Sequence, residues 1–257
     1  MNDPWITLRQ FTQARIAQGR AGCSLPTKAL LDFQLAHASA RDAVQQVWDV
    51  TAFAGEVEKL ALEPLMLATP VVSREQYLQR PDLGRCLTKS GHEILDARAT
   101  QAIDVALIVS NGLSSTAVDE HGLALLQAVV TAYVERGLRL GPICLVSNGR
   151  VALADEIGAL LGARLAVIIV GERPGLSAAD SLGMYLTYAP KPGNTDAERN
   201  CISNIRPPAG LSYNAAAAKL AYLSEQALQR GLSGVVLKDD MPEQSLTETG
   251  DAILLKE

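Results

Sequence analysis

The amino-acid sequence predicts an α/β protein: a Rossmann-like, doubly wound and mainly parallel sheet, preceded by an N-terminal helical region. Apolar runs without polar alternation, such as residues 103–110, are typical of strands buried on both faces of a parallel sheet. Amphipathic stretches lie between these runs, which predicts right-handed βαβ crossovers. Hydrophobic residues make up 48% of the chain and aromatic residues only 4%, which favours helices packed on a sheet over a β-sandwich.

The chain divides where the apolar runs begin. We assign residues 1–97 to a helical, partner-contacting region and residues 98–257 to the sheet domain. In the first region, apolar residues recur every three or four positions over residues 26–50, which predicts one helix. Ser73 is predicted to cap a short helix that ends near Pro81.

The sheet domain is expected to alternate strands with helices. The strands are predicted, in chain order, at residues 103–110, 143–147, 165–170, 184–188 and 234–237. The helices are predicted to begin near Ser114, near Asn148 and at Ser212, and to end at Gly137, Gly162 and Gly231.

The loops that follow the predicted strands are the expected binding region. Ligands of open parallel sheets bind outside the carboxyl ends of the strands, at the switch in strand order. Residues 111–116 and 148–151 follow strands, but the segment 171–208 is the most informative. It is rich in Gly, Pro, Asn, Ser and Arg and contains only one predicted strand. Because a segment of this length inside a domain usually has a function, we expect it to bind a ligand.

Composition argues against several classes of function. A net charge of −5 and the absence of a long basic run argue against binding to nucleic acid or to anionic membranes. Since neither a long apolar run nor a signal peptide is recognisable, we expect a soluble, cytoplasmic protein. Four widely spaced cysteines without a CxxC pair and three scattered histidines predict no metal site and no redox dithiol.

Sequence motifs remove further candidates. Neither VSNGLSS nor VSNGRVA provides the GxGxxG fingerprint of dinucleotide binding, and Walker A, GxSxG and HExxH motifs are also absent. His121, in DEHG, partly matches the DxHxxG motif of one corrinoid-binding class. Ala124 stands where that motif needs its second glycine, so we reject the match. Glu172 and Cys201 both allow ordinary explanations, as a surface ion pair with Arg173 and as a small buried hydrophobe.

Longer motifs carry a specific resemblance. The stretches TQARIAQGRAGCSLPTKALLDFQLAHASARDAV, GERPGLSAADSLG, DAERNCISNIRP and GLSGVVLKD are similar to those of ethanolamine ammonia-lyase small subunits. The similarity runs from about Thr12 to Asp239, which is nearly the whole chain.

The resemblance implies a function as one part of a larger enzyme. It implies a radical conversion of ethanolamine into acetaldehyde and ammonia, with adenosylcobalamin held base-on between this chain and a large TIM-barrel subunit, six of each. Catalytic residues are expected on the large subunit, so the isolated chain should be inactive. The family's cobalamin-contacting positions correspond to Val151, Glu172 and Cys201. Neighbouring candidates are Asn148, Arg199, Asn200 and Asn204.

Some questions stay open at this point. The family's N-terminal extension for packaging into a bacterial microcompartment is short here, with eleven residues before Thr12, which leaves encapsulation in doubt. The polar face of the first helix, with Gln34 and Arg41, is a candidate interface. The alternative functions are a stand-alone Rossmann-fold nucleotide-dependent enzyme and a non-catalytic scaffold subunit.

Overall fold

A single mixed sheet organises the computed structural model, which describes residues 5–98 and 102–242. Within these residues the strands are β1 (Pro64–Ala68), β2 (Val105–Ser110), β3 (Leu140–Ser147), β4 (Leu165–Gly171), β5 (Leu182–Tyr188) and β6 (Arg199–Ile205). Their order in the sheet is β1-β3-β2-β4-β5-β6. The pairings from β1 to β4 are parallel, whereas β5 runs antiparallel to both β4 and β6.

Helices pack against both faces of this sheet. The helices are α1 (Thr27–Gln45), α2 (Val50–Lys59), α3 (Arg74–Gln79), α4 (Lys89–Asp96), α5 (Ser115–Ala117), α6 (Leu123–Glu135), α7 (Leu153–Leu160) and α8 (Tyr213–Arg230). One apolar core lies under α2, α6 and α8, and a second lies under α4 and α7. The predicted α/β class is therefore confirmed. No helix in the described part of the chain is long and apolar enough to cross a membrane.

Local sequence signals explain the central elements. Every residue of β2 and β4 is buried, because their apolar side chains face the two cores in alternation. The Ser212 hydroxyl accepts a hydrogen bond from the Ala215 amide and begins α8. Gly231 ends that helix at φ +68°, a left-handed conformation that glycine adopts without strain. The predicted cap at Ser73 is also confirmed.

The helix predicted over residues 26–50 is wrong in its length. The chain leaves helical geometry at Gln46, and Asp49 then caps α2 by accepting a hydrogen bond from the Ala52 amide. Trp48, between the two helices, is buried in the core beside Phe53. The apolar pattern of the sequence looks continuous, but burial of the Trp48 indole in the core interrupts the helix. This is an effect of tertiary packing, not of local sequence.

Three further corrections concern strands. β1 lies in the N-terminal part of the chain and pairs with β3, and β6 lies inside the segment that was expected to hold one strand. The strand predicted at residues 234–237 is wrong, because Gly234–Val236 forms a 3-10 turn. The Asn200 side chain bonds the Gly234 amide and the Leu237 carbonyl, which holds this turn against β6. The division at residues 97 and 98 stays a prediction.

A charged cluster ties together the amino ends of the parallel strands. Asp104 accepts hydrogen bonds from the Arg139 amide and guanidinium, at 3.1 and 3.0 Å, and from Arg164 at 3.3 Å. The hydrogen bond from Arg139 is the main reason that the pKa of Asp104 is lowered from 3.8 to about 2.

We expect Asp104→Asn to lower the free energy of unfolding by about 1–2 kcal/mol at pH 7, allowing for the solvent exposure of both arginines. The folded-state pKa is depressed, so this stabilisation is present above pH 3.8 and is lost as the pH falls towards 2. Urea unfolding of both proteins between pH 7 and pH 3 measures it. A difference that stays constant down to pH 3 would contradict the assignment.

Candidate functional site

The carboxyl ends of the parallel strands meet at one edge of the sheet, where close backbone packing shapes the site. The Gly171 carbonyl accepts a hydrogen bond from the Leu113 amide at 3.0 Å. A Cβ atom at Gly171 would lie 2.1 Å from the Ser114 carbonyl oxygen and 2.4 Å from that of Asn111. Only glycine allows the loops after β2 and β4 to approach this closely.

Glu172 is held immediately after β4. Its carboxylate accepts hydrogen bonds from the Ser181 hydroxyl and, at 3.3 Å, from the Asn204 amide. The side chain lies over Gly183 of β5, where a Cβ atom would come within 2.9 Å of the carboxylate oxygen. The carboxylate therefore has a defined position and keeps lone pairs for another donor.

Cys201 lies on β6, directly across from Tyr185 of β5, and the two side chains are close enough to affect each other's pKa. Partial desolvation of the Cys201 thiol, and then the nearby Glu172 carboxylate, raise its pKa above the usual value, although the residue as a whole is exposed. Burial is the main cause that raises the pKa of Tyr185, and the Glu172 carboxylate acts in the same direction. At neutral pH this surface therefore presents a neutral thiol and a neutral phenol.

Val151 lies in the turn between β3 and α7. Together with Glu172 and Tyr185 it lines a cavity of about 400 Å³ at the strand ends. Cys201 does not line this cavity but adjoins it through Tyr185. Val151 and Glu172 thus follow the ends of β3 and β4, whereas Cys201 lies within β6, and Tyr185 joins the three predicted residues into one surface.

That surface continues onto a flat part of the sheet. In β6, Cys201 and Ser203 are exposed, whereas Ile202 and Ile205 are buried on the opposite face by α8. On β5 only Tyr185 is partly exposed on this side, because Gly183 is buried beneath Glu172. We call the surface formed by Tyr185, Cys201 and Ser203 the open face. It presents a phenol, a thiol and a hydroxyl beside the Glu172 carboxylate, and it suits a broad ligand.

The neighbouring candidate residues have different roles. Arg199 and Asp155 form an ion pair in which both side chains are almost completely buried. Arg199 also bonds Asp196 at 2.7 Å and the Asn194 carbonyl at 2.8 Å, so it fixes the chain before β6 and has little freedom to contact a ligand. Burial raises the pKa of Asp155 despite the ion pair. Asn200 is engaged with the turn at Gly234.

His121 lies behind this region, in a π-helical turn (Val118–Gly122) that joins α5 to α6. Its ring nitrogens contact the Tyr213 hydroxyl at 2.8 Å and the Asp180 carboxylate at 3.3 Å. Glu120 completes a group whose candidate ligand atoms lie within 4.8 Å of one another. His121 is buried by these contacts, which gives it a structural role in holding the loop before Ser181.

Sequence reasoning missed Tyr185, Gly183 and Ser181, which shape the site around Glu172 and Cys201. The pattern that could have found them is the alternation within β5, where Leu182, Met184 and Leu186 face the core. That alternation requires the residues between them to face the opposite side.

Comparisons with known proteins agree with one another. The family model described as ethanolamine ammonia-lyase light chain (EutC) matches residues 2–238. An ethanolamine ammonia-lyase small subunit of Pseudomonas putida (strain GB-1) is 51% identical over 255 residues, covering 98% of this chain and 93% of the relative. The small subunit of Azotobacter vinelandii (strain DJ / ATCC BAA-1303) is 51% identical over 251 residues, covering 96% and 93%. That of Ralstonia nicotianae (strain ATCC BAA-1114 / GMI1000) is 50% identical over 251 residues, covering 96% and 92%.

Proposed function

Because the chain belongs to the family of ethanolamine ammonia-lyase light chains, we propose that it holds adenosylcobalamin through Val151, Glu172 and Cys201 in a complex with a large subunit. The observation that carries the proposal is that Val151 and Glu172 line one cavity at the strand ends and Cys201 adjoins it through Tyr185. In this reading the sheet is Rossmann-like, with its ligand at the carboxyl ends of the parallel strands.

The chemistry of the open face suits a corrin. A corrin ring is broad and carries neutral amide side chains around its edge. Glu172 supplies acceptor lone pairs for amide N–H groups, and Tyr185 with Cys201 supplies a neutral surface for the ring edge. Val151 adds apolar contact at the start of α7. These residues therefore fit the cofactor that the family uses.

The chain's own part in the reaction is binding and orientation. The cofactor supplies radical chemistry when it is bound. We assign no catalytic residue to this chain, and we place ethanolamine and its conversion into acetaldehyde and ammonia on the large subunit. The isolated chain is then inactive and becomes part of a lyase only in the complex.

Exposed apolar residues support a protein partner. Helix α1 buries only Ala43 in this chain, whereas its large apolar side chains face outward. The exposed set is Leu30, Leu31, Phe33 and Leu35 on α1, with Ile6, Leu8 and Phe11 before it. Because such a patch marks an interaction surface, we propose that the large subunit, a TIM barrel present in six copies with six of this chain, covers it. We place the complex in the cytoplasm and leave its encapsulation in a microcompartment open.

We expect Glu172→Ala to weaken corrinoid binding by the complex by about tenfold to a hundredfold, since a hydrogen bond to a charged acceptor contributes about 1.5–3 kcal/mol. Glu172→Gln, which keeps the size of the side chain, should have a smaller effect. Titration with cobalamin, followed by visible absorption, measures the dissociation constant. Glu225→Ala is the matched control: it removes a surface ion pair between Glu225, on α8, and Arg136, which follows α6. It should leave the affinity for cobalamin unchanged.

The alternative functions make different predictions. A scaffold subunit would assemble normally and keep its cobalamin affinity when Glu172 and Cys201 are both replaced by alanine. A stand-alone nucleotide-dependent enzyme would bind a nucleotide tightly without the large subunit. Deamination of ethanolamine by the large subunit alone would count against the proposal, because it would mean that the reaction does not require this chain.

A further inference from the structure

Two arginines lie against the same aromatic ring beside the candidate site. The guanidinium carbon of Arg150 lies 4.0 Å from the centre of the Tyr77 ring, and that of Arg74 lies 4.8 Å from it. Tyr77 is itself buried, and its hydroxyl donates a hydrogen bond to the Gly149 carbonyl at 3.1 Å. The ring therefore fixes both cations next to the turn that carries Val151.

Neither charge is balanced by an acid. Across residues 5–98 and 102–242, no carboxylate forms an ion pair with Arg74 or Arg150. Arg74 donates to the Val44 and Gly112 carbonyls and to Asn148, and Arg150 donates to the Tyr77 carbonyl, so all these acceptors are neutral.

Two donors in this pair are buried without an acceptor. Arg74 Nη2 and Arg150 Nε have no hydrogen-bond partner within the described residues. Burial lowers the pKa of Arg74; Tyr77 opposes this shift, and repulsion from Arg150 adds to it. Both arginines are half-buried as residues, but a charged donor atom that is buried without a partner is costly, so the two guanidinium groups point to a place where an anion can bind.

Arg150 faces the region where that anion can enter. It lines the cavity of about 400 Å³ with Val151 and Glu172, and it also lines a neighbouring cavity of about 680 Å³. Arg150 and Val151 are common to both cavities, so a ligand that extends from the open face passes Arg150.

We propose that Arg150, supported by Arg74 across their common contact with Tyr77, binds a phosphate-class oxyanion at the strand ends, namely the phosphodiester of the cofactor's nucleotide loop. This assignment rests on the proposed function, because it concerns how the same site orients cobalamin. A guanidinium is the side chain best suited to phosphate, since its planar donors match two phosphate oxygens. Arg150 is then a specificity-determining residue that distinguishes complete cobalamin from corrinoids without the nucleotide loop.

The test compares two corrinoids on the complex of this chain with its large subunit. Cobalamin carries the phosphodiester, whereas cobinamide lacks the whole nucleotide loop. We expect Arg150→Gln to weaken cobalamin binding on the order of tenfold to a hundredfold. Cobinamide affinity should change by less than about twofold, since no charge-assisted hydrogen bond is lost there. Arg150→Lys should restore part of the cobalamin affinity, because it restores the positive charge.

The matched control is Arg230→Gln, an exposed arginine in the last turn of α8, at the end of the sheet away from the strand tips. It should leave both affinities unchanged. Equal weakening of both corrinoids by Arg150→Gln, or failure of both Arg150 variants to assemble, would show that Arg150 only supports the fold. Inorganic phosphate should compete with cobalamin in the wild-type complex and not in Arg150→Gln.

Two outcomes separate the possible failures. Suppose that binding of inorganic phosphate requires Arg150, but that the preference of the complex for cobalamin over cobinamide does not depend on Arg150. The ligand is then a free oxyanion, and the assignment to the cofactor is wrong. If the wild-type complex binds neither corrinoid, the proposed function itself fails and the assignment of Arg150 falls with it.

Discussion

Replacing Asp155 with alanine should lower the free energy of unfolding by about 3 kcal/mol or more. Asp155 and Arg199 are paired where neither side chain reaches solvent. Removal of the carboxylate leaves a buried guanidinium with only Asp196 and a backbone carbonyl as partners. Urea unfolding of the chain, followed by circular dichroism, measures the change.

Asp196→Ala is the matched control for this prediction. It removes the other carboxylate bonded to Arg199, but Asp196 is fully exposed to solvent. An exposed ion pair contributes no more than about 1 kcal/mol, so this variant should be much less destabilised. Equal effects of the two substitutions would mean that burial does not determine the strength of the Arg199 contacts.

Gly171→Ala should lower the free energy of unfolding by about 3 kcal/mol and the melting temperature by about 6–12 °C. The added methyl group would overlap the carbonyl oxygens of Ser114 and Asn111, which are backbone atoms and cannot rotate away. The loops after β2 and β4 must then separate, and Glu172 moves with them. We therefore expect cobalamin binding by the complex to weaken as well.

Gly175→Ala tests whether this effect is steric. Gly175 lies four residues later, where an added Cβ atom would meet nothing closer than the Ala178 carbonyl oxygen at 3.9 Å. Differential scanning calorimetry of both variants should show a large shift for Gly171→Ala and little shift for Gly175→Ala. A tolerated Gly171→Ala would mean that the two loops are not packed as closely as described.

Local patterns were enough to predict the central parallel strands and the caps at Ser73 and Ser212. These features depend on the residues themselves: apolar runs predict buried strands, and a hydroxyl at the right position begins a helix. The break between α1 and α2 was not predictable in this way. The position of this break depends on the burial of Trp48 in a core whose other residues come from distant parts of the chain.

The candidate site shows the same division. The family motifs predicted Val151, Glu172 and Cys201, but only the antiparallel pairing of β5 with β6 explains why Glu172 and Cys201 adjoin. That pairing was missed because β6, with the sequence RNCISNI, is half exposed and has a register irregularity near Leu182. Tyr185, the residue between the two, carries no motif signal of its own.

The outward apolar face of α1 has a consequence for production of the chain. Water solvates such a surface poorly, so copies made in excess over the partner proposed to cover it should adhere to one another and precipitate. We expect soluble yield to follow the supply of that partner during synthesis more closely than it follows temperature or salt. The exposed apolar side chains of α1 thus make balanced expression of the two polypeptides necessary for soluble protein.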